Sequence, residues 1–368
     1  MQYIQRSRAN LKKENSRATA RSEAIEIQLQ QDSLLAKNEI NVLLLGATGS
    51  EHWQSTLFRQ MGLLHHPGYT ARERDAYKGK ILSDVTEDMR AVLEAMPKLE
   101  SELSPTNDKR RNTILSLPPY DATDAPPAYS AANGNIADAI RGLWRDPSVR
   151  EAVQRSCEFN PKFSDNGLYY FDSIDRIAAA GYQPTDQDIL RRRAETTGIR
   201  EIKFQVGEVT YKLFDPNGQW SDRRKWLHCF QDVKAILFCT TLSDYDQVLY
   251  EDESINHLQE ALTIFDSVCN SQWFLKTSIM LFLNVDGLQE KLRVTPLADH
   301  FPDYTGGDDF EAACDYLLHR FVSLNQHGAT KQIYVHYGTP TDNEQVKFFI
   351  SMIQEILLQN YLREQGLL

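Results

Sequence analysis

The sequence predicts an α/β fold with a mostly parallel sheet and an all-helical segment spliced into it. Three observations carry that expectation. Ile40 to Leu45 is an apolar run bounded by Gly46 and followed by a helical pattern ending at Met61. A buried strand, a glycine-bearing loop and a helix start is the order of a phosphate-binding unit. Three later apolar runs, Ala235 to Cys239, Ile279 to Leu283 and Ile333 to Tyr337, are separated by helical stretches. That spacing fits buried parallel strands joined by right-handed crossovers. Between the first strand and the later sheet, residues 62–185 follow helical periodicity without a convincing alternating strand.

Length and charge narrow the class. A chain of 368 residues exceeds one small core, so two domains are expected. The expected division is an N-terminal helical arm at 1–39, an α/β domain at 40–61 and 186–368, and a helical insertion at 62–185. A net charge of -11 argues against a nucleic-acid partner. The five cysteines are scattered with no CxxC pair, which fits reduced thiols and no zinc site. No apolar run reaches the length of a membrane span, and the N-terminus lacks a signal-peptide pattern.

The elements follow in order. The arm is basic, with Arg6, Arg8, Lys12, Lys13, Arg17 and Arg21 ahead of helical spacing at Ala24, Ile25, Gln28 and Leu29. Such an arm docks a partner, lies on an acidic membrane surface, or is simply solvated. Leu57, Phe58 and Met61 should pack the first helix on the sheet, and Arg59 should face solvent. Helical stretches are expected at Ala71 to Met96 and Ile136 to Ser156. The proline-rich span Leu103 to Asn135 between them reads as a long loop. Ile202, Phe204 and Val206, then Val209, Tyr211 and Leu213, alternate about Gly207-Glu208 and predict a hairpin. Val346 to Leu362 carries an apolar helical stripe, with Thr341 and Glu344 as its expected capping box.

In a parallel sheet, ligands sit beyond the carboxyl ends of the strands. The segments there are the loop after Gly46, Asp215-Pro216-Asn217-Gly218-Gln219, Asn284-Val285-Asp286-Gly287 and Gly338-Thr339-Pro340-Thr341-Asp342, with Arg191 to Gly198 upstream of the hairpin. Taken singly, each is weak. Arg193 is one arginine of a basic run, Gln219 is a turn residue, and Asp215 at a strand end is ambiguous. The first loop also departs from Gly-x4-Gly-Lys-[Ser/Thr]: counting from Gly46 puts Glu51, His52 and Trp53 at the last three places. Counting back from Ser55-Thr56 puts Trp53-Gln54 where Gly-Lys would stand, and on either count the lysine is missing.

Taken together, these segments resemble the α subunit of a heterotrimeric G protein, a divergent, fungal-type one. The resemblance is dense at Asp175-Arg176-Ile177, Tyr182 to Asp188, Thr196-Thr197-Gly198-Ile199, Lys225 to Phe230, Leu242 to Asp246 and Phe265 to Phe274. It implies a Ras-like P-loop GTPase domain, an inserted all-helical domain, and GTP or GDP with Mg2+ between them. It implies that Arg193 is the built-in arginine finger and that Gln219 orients the attacking water. Ser55, Thr196 and Asp215 would hold Mg2+, Asp215 through water. Gly46, Ser50, Ser55, Thr56 and Gly218 would surround the phosphates, and Asn284, Asp286 and Thr341 the base.

The match is uneven. The hydrolytic residue types are present, but the P-loop lysine has no equivalent, and His52, the nearest basic residue in the loop, is mostly neutral at pH 7. Ser55 aligns only across a two-residue insertion. The family reads guanine with Asn-Lys-x-Asp; here Asp286 falls one residue early and Val285 replaces the lysine stem. Pro340 stands where a backbone N–H would meet the guanine oxygen, and proline has none. Three such losses total about 5–8 kcal/mol, or several orders of magnitude in affinity. The expectation is a signal transducer with weakened nucleotide binding. The alternative is a nucleotide-independent pseudo-GTPase scaffold.

The resemblance also implies partners: a βγ dimer, a G protein-coupled receptor and a downstream effector. Ile199, Phe214, Lys225, Trp226 and Cys229 match the βγ surface, and the tail to Leu368 the receptor-reading end. Gln2 excludes the Met-Gly start of N-myristoylation, and no cysteine stands near for palmitoylation. The expected location is cytoplasmic, with at most peripheral association at the plasma membrane.

Overall fold

The apolar run after the arm forms β1 (Glu39–Gly46), with Val42 to Leu45 buried. A computed structural model describes residues 39–46, 51–65, 68–118, 133–155, 165–179, 181–192, 199–206, 209–216, 233–249, 254–328 and 330–364. Residues 1–38 of the N-terminal arm and the C-terminal four residues lie outside them, and Glu39, expected to end the arm, opens β1. β1 leads to α1 (Glu51–His65) and then α2 (Ala71–Ala95). Thr70 and Glu73 close α2 with a capping box: the hydroxyl accepts from the Glu73 N–H at 3.3 Å, and the carboxylate accepts from the Thr70 N–H at 2.7 Å.

The helices that follow are α3 (Asp108–Leu115), α4 (Asn133–Trp144), α5 (Pro147–Gln154), α6 (Asp165–Asp172), α7 (Ile174–Ile177) and α8 (Asp186–Leu190). Two expectations are corrected here. The span 103–135 is not loop throughout. Pro105 opens a 3-10 turn, Pro105–Asn107, that runs into α3, whose Ile114 is fully buried. Proline at the first helical position loses no hydrogen bond, so it starts the turn instead of breaking it. The helical stretch 136–156 is two helices. Asp146 separates them, accepting from the Ser148 N–H at 3.1 Å and from Asn107 Nδ2 at 2.8 Å.

The sheet completes with β2 (Arg200–Val206), β3 (Val209–Asp215), β4 (Val233–Thr241), β5 (Ser278–Asn284) and β6 (Ile333–Gly338). Between the later strands lie α9 (His257–Cys269), α10 (Leu288–Val294) and α11 (Phe310–Val322), and α12 (Asn343–Glu364) closes the chain. The six strands run in the order β2-β3-β1-β4-β5-β6. All pairs are parallel except the β2–β3 hairpin, where Phe204 faces Tyr211. The cap of α12 is a correction. Asp342, not Thr341, accepts from the Glu344 and Gln345 N–H groups at 2.9 and 3.2 Å.

The two-residue period of the strands divides the core. Val42, Leu44, Ala235, Leu237, Met280 and Phe282 turn to one face, against Leu57, Phe58 and Met61 of α1 and Val346, Phe349, Ile350 and Ile353 of α12. Leu43, Leu45, Ile236, Phe238, Ile279 and Leu281 turn to the other, against α9, α10 and α11. A third apolar cluster joins α2 to α7 away from the sheet, through residues such as Ile81, Met89, Ile114, Ile140, Phe171 and Ile177.

Candidate functional site

Gly46, Asp215, Asn284 and Gly338 end four mutually parallel strands, so these strand ends lie along one edge of the sheet. Ser50, Arg193, Thr196, Gly218 and Gln219 lie outside the described residues, as do Lys225, Trp226 and Cys229 and the side chain of His52. Among the described residues the site has three parts: a charged centre, a base-side loop pair, and a linker from the helical cluster.

The charged centre is built on the hairpin. Arg200 stands directly opposite Asp215 in the β2–β3 register. It falls two residues before Ile202 and four before Phe204, so it shares their inward face. Asp215 is fully buried, and a carboxylate there requires donors. Arg200 supplies one through an ion pair, and the same Nη2 donates to Ser55 Oγ at 2.7 Å. Gln54 supplies another, its Nε2 donating to Asp215 Oδ1 at 2.9 Å and to the Leu44 carbonyl at 3.3 Å. The Arg200 guanidinium lies 4.7 Å from the centroid of the Phe58 ring, in cation–π range. Ser55 and Asp215, two of the residues expected at Mg2+, are thus brought together. What joins them is an arginine that the sequence reading did not single out.

The base-side residues also meet. Thr339 Oγ1 donates to Asp286 Oδ1 at 2.6 Å, and the Asp286 N–H donates to Asn284 Oδ1 at 3.1 Å. Asn284 Nδ2 reaches Thr241 Oγ1 at 3.4 Å. Val285 packs against the apolar cluster below the sheet. The Thr339 N–H is taken by Gln345 Oε1 at 2.8 Å, and Pro340, next in the loop, is buried.

The linker is clamped from the sheet side. Thr56 Oγ1 donates to the Leu190 carbonyl at 3.2 Å. Arg59, expected at the surface, is half-buried and donates to the carbonyls of Ile189 at 3.0 Å and Arg192 at 2.7 Å. The Ile189 carbonyl, in the last turn of α8, also accepts from the Arg192 N–H at 3.4 Å, and the guanidinium fork adds charged donors there and at Arg192 just past the helix. Thr341 faces the same linker: its carbonyl accepts from Gln187 and its hydroxyl from Arg191, at 3.1 and 3.3 Å. Asp188 ties the linker to the helical cluster. Its carboxylate accepts from Arg176 at 2.7 Å and from Tyr169, Tyr182 and the Thr185 N–H, each at 2.8 Å. Burial pushes the Asp188 carboxyl up, but the Arg176 guanidinium and the other donors outweigh it and hold the group well below the usual range. On the expected βγ surface, Ile199 is 43% exposed, while Phe214 packs partly into the core.

A parallel sheet with a glycine-ended first strand, a buried aspartate on the third and a polar loop pair beyond the last two is the framework of a Ras-like nucleotide-binding fold, here with a helical cluster inserted. The family model for the G-protein alpha subunit matches residues 19–357. A guanine nucleotide-binding protein subunit alpha of Coprinellus congregatus is 57% identical over 352 residues, 95% of this chain and 97% of that protein. The alpha-1 subunit of Mycosarcoma maydis is 49% identical over 351 residues, 95% and 96% of the two chains. The alpha subunit of Pyricularia oryzae is 48% identical over 360 residues, 96% and 98% of the two. The chain belongs to the G-protein α subunit family, and its role is that of a signal transducer.

Members of this family generally bind GTP or GDP with Mg2+, and engage βγ dimers, receptors and effectors. The described donors do not match a Mg2+ ion while Arg200 holds them. A doubly charged ion about 4 Å from the guanidinium would be repelled by about 8 kcal/mol at an effective dielectric constant of about 20. Gln54, which the count back from Ser55 puts at the lysine position, is neutral and directed at Asp215 and Leu44. The sequence does carry a signal for Arg200: a cation at an apolar-face position, in hairpin register with an aspartate. No comparable signal exists for Arg59: besides the Ser55 carbonyl four residues back, it donates to backbone carbonyls 130 or more positions away.

Proposed function

We propose that this chain serves as the α subunit of a heterotrimeric G protein in receptor signalling, with a weakened guanine-nucleotide site. The observation that carries the reading is Gln54. The lysine position holds a neutral amide, and that amide is committed to Asp215 at 2.9 Å and the Leu44 carbonyl at 3.3 Å. A phosphate approaching this place meets a neutral amide and competes with contacts already made. On the base side, Val285 and Pro340 support the same reading, since one packs into the core and the other has no N–H to donate.

The nucleotide's place is between the α/β part, 40–61 and 186–368, and the helical insertion, 62–185. Arg193 and Gln219 keep the residue types of GTP hydrolysis, so turnover is limited by occupancy and not by the hydrolytic pair. The βγ dimer meets the surface that includes Ile199 and Phe214, and membrane attachment is peripheral, through partners and the basic arm. The second reading, a nucleotide-independent scaffold for βγ or an effector, is the limit in which the Gln54 contacts are never displaced.

The test is Gln54→Lys. Restoring a charge-assisted phosphate contact is worth about 1.5–3 kcal/mol, so affinity for a fluorescent GTP analogue should rise about 10- to 100-fold. An unchanged affinity would remove Gln54 as the cause.

A further inference from the structure

We propose that Arg200 is a built-in cation that takes the place of the divalent metal ion in this site, making the α/β core independent of Mg2+. The proposal rests on the juxtaposition of five side chains, Arg200, Ser55, Asp215, Phe58 and Gln54. Arg200 Nη2 contacts Ser55 Oγ at 2.7 Å and is ion-paired with Asp215, which is fully buried. Those two oxygen donors are the ones a divalent ion would share, and one nitrogen spans both. The guanidinium is held from two further directions. Its strand register with Asp215 fixes the backbone distance, and the Phe58 ring lies 4.7 Å away as a stacking face. Gln54 donates to the remaining Asp215 oxygen at 2.9 Å. Asp215 therefore receives both a positive charge from Arg200 and a neutral hydrogen bond from Gln54, which its burial requires.

The chemistry separates the two cations. Mg2+ takes oxygen ligands in octahedral geometry and keeps several waters. A guanidinium offers a flat fork of N–H donors and is weakly hydrated. It can neutralise a buried carboxylate and donate to a phosphate oxygen, but it has no coordination positions to bring water or phosphate into octahedral order. Nucleotide engaging this centre would thus meet Arg200 and not a metal bridge, and any binding should survive chelation. The proposal does not rest on weak nucleotide affinity. Tight GTP binding that persists in EDTA would contradict the weakened-site reading and support the Arg200 assignment.

The test uses Mn2+, read by electron paramagnetic resonance, as a probe for the divalent site in the full-length chain with and without saturating GDP, each titration taken relative to the same solution without protein. The wild type should show no saturable site below about 1 mM, and its melting temperature should not change with Mg2+. Arg200→Val should create a saturable Mn2+ site and a melting temperature that rises with Mg2+, because Ser55 and Asp215 then accept a metal. Phe58→Leu, which removes the stacking face and keeps the apolar packing, should produce the same change more weakly. A sub-millimolar Mn2+ site in the wild type overturns the proposal, whatever the variants do. So does an Arg200→Val chain that folds and binds no more Mn2+ than the wild type. Should Arg200→Val fail to fold, the wild-type titration and the Phe58→Leu comparison decide.

Discussion

Asp188 has no side-chain exposure and gathers donors from Arg176, Tyr169, Tyr182 and Thr185. Its role follows from where those partners sit: α6, α7 and the turn before α8. One carboxylate therefore fixes the point at which the chain leaves the helical cluster and returns to the sheet. Its folded-state pKa is depressed, with burial opposing and the Arg176 guanidinium and hydroxyl donors prevailing. The stabilisation is thus complete above the unfolded-state value near 3.8 and is lost as pH falls towards the folded value. Asp188→Asn should destabilise the protein by about 3 kcal/mol at neutral pH and flatten the decline in stability between about pH 5 and 2. Denaturant melts across that range read both effects. An acid limb as steep as that of the wild type would assign the pH dependence elsewhere. The residue scale is also where sequence reading ran out. Asp215 and Ser55 stood out because their residue types matched a pattern. Arg200, Arg59 and Gln54 act through partners set by tertiary contact, some of them backbone carbonyls with no sequence signature.

Among the elements, α12 shows the rule most simply. Val346, Phe349, Ile350, Ile353, Ile356 and Leu357 are buried against the sheet, while Phe348 is 59% and Leu358 57% exposed. The spacing was legible because a helix on a sheet buries one stripe. The Phe349 ring meets Phe282 at 4.9 Å between centroids, edge to face. Phe349→Ala should cost about 3–5 kcal/mol, whereas Phe348→Ala should stay within about 0.5 kcal/mol. Thermal melts of the pair compare neighbours on one helix, and equal losses would contradict the assigned face. The β2–β3 hairpin was legible for the same reason at period two, and the parallel strands as continuous apolar runs. α3 was not, because Pro105 and the later prolines marked a loop, and the sequence does not reveal that Pro105 occupies a first-turn position. The cap of α12 was placed one residue early for a related reason. Thr341 has the right side chain, but its hydroxyl and carbonyl serve Arg191 and Gln187, which leaves the capping to Asp342.

At the scale of the molecule, the sheet order, the inserted helical cluster and the family all agree, so the scaffold of a G-protein α subunit is retained. No helix among the described residues is long and apolar enough to cross a membrane. The departures concentrate where the nucleotide would be held: Gln54 for lysine, Arg200 between Ser55 and Asp215, Val285 turned into the core and Pro340 in the last loop. Gln54, Ser55, Asp215 and Arg200 bond to one another in this region, and on the proposed reading those contacts raise the cost of admitting a ligand. The most direct measurement of that claim is an equilibrium titration of the purified wild-type chain with a fluorescent GTP analogue and Mg2+, competed with GTP and with ATP. The account predicts no saturation below about 10 μM from a chain with a folded far-UV spectrum. Saturable sub-micromolar binding, displaced by GTP and not by ATP, would contradict it.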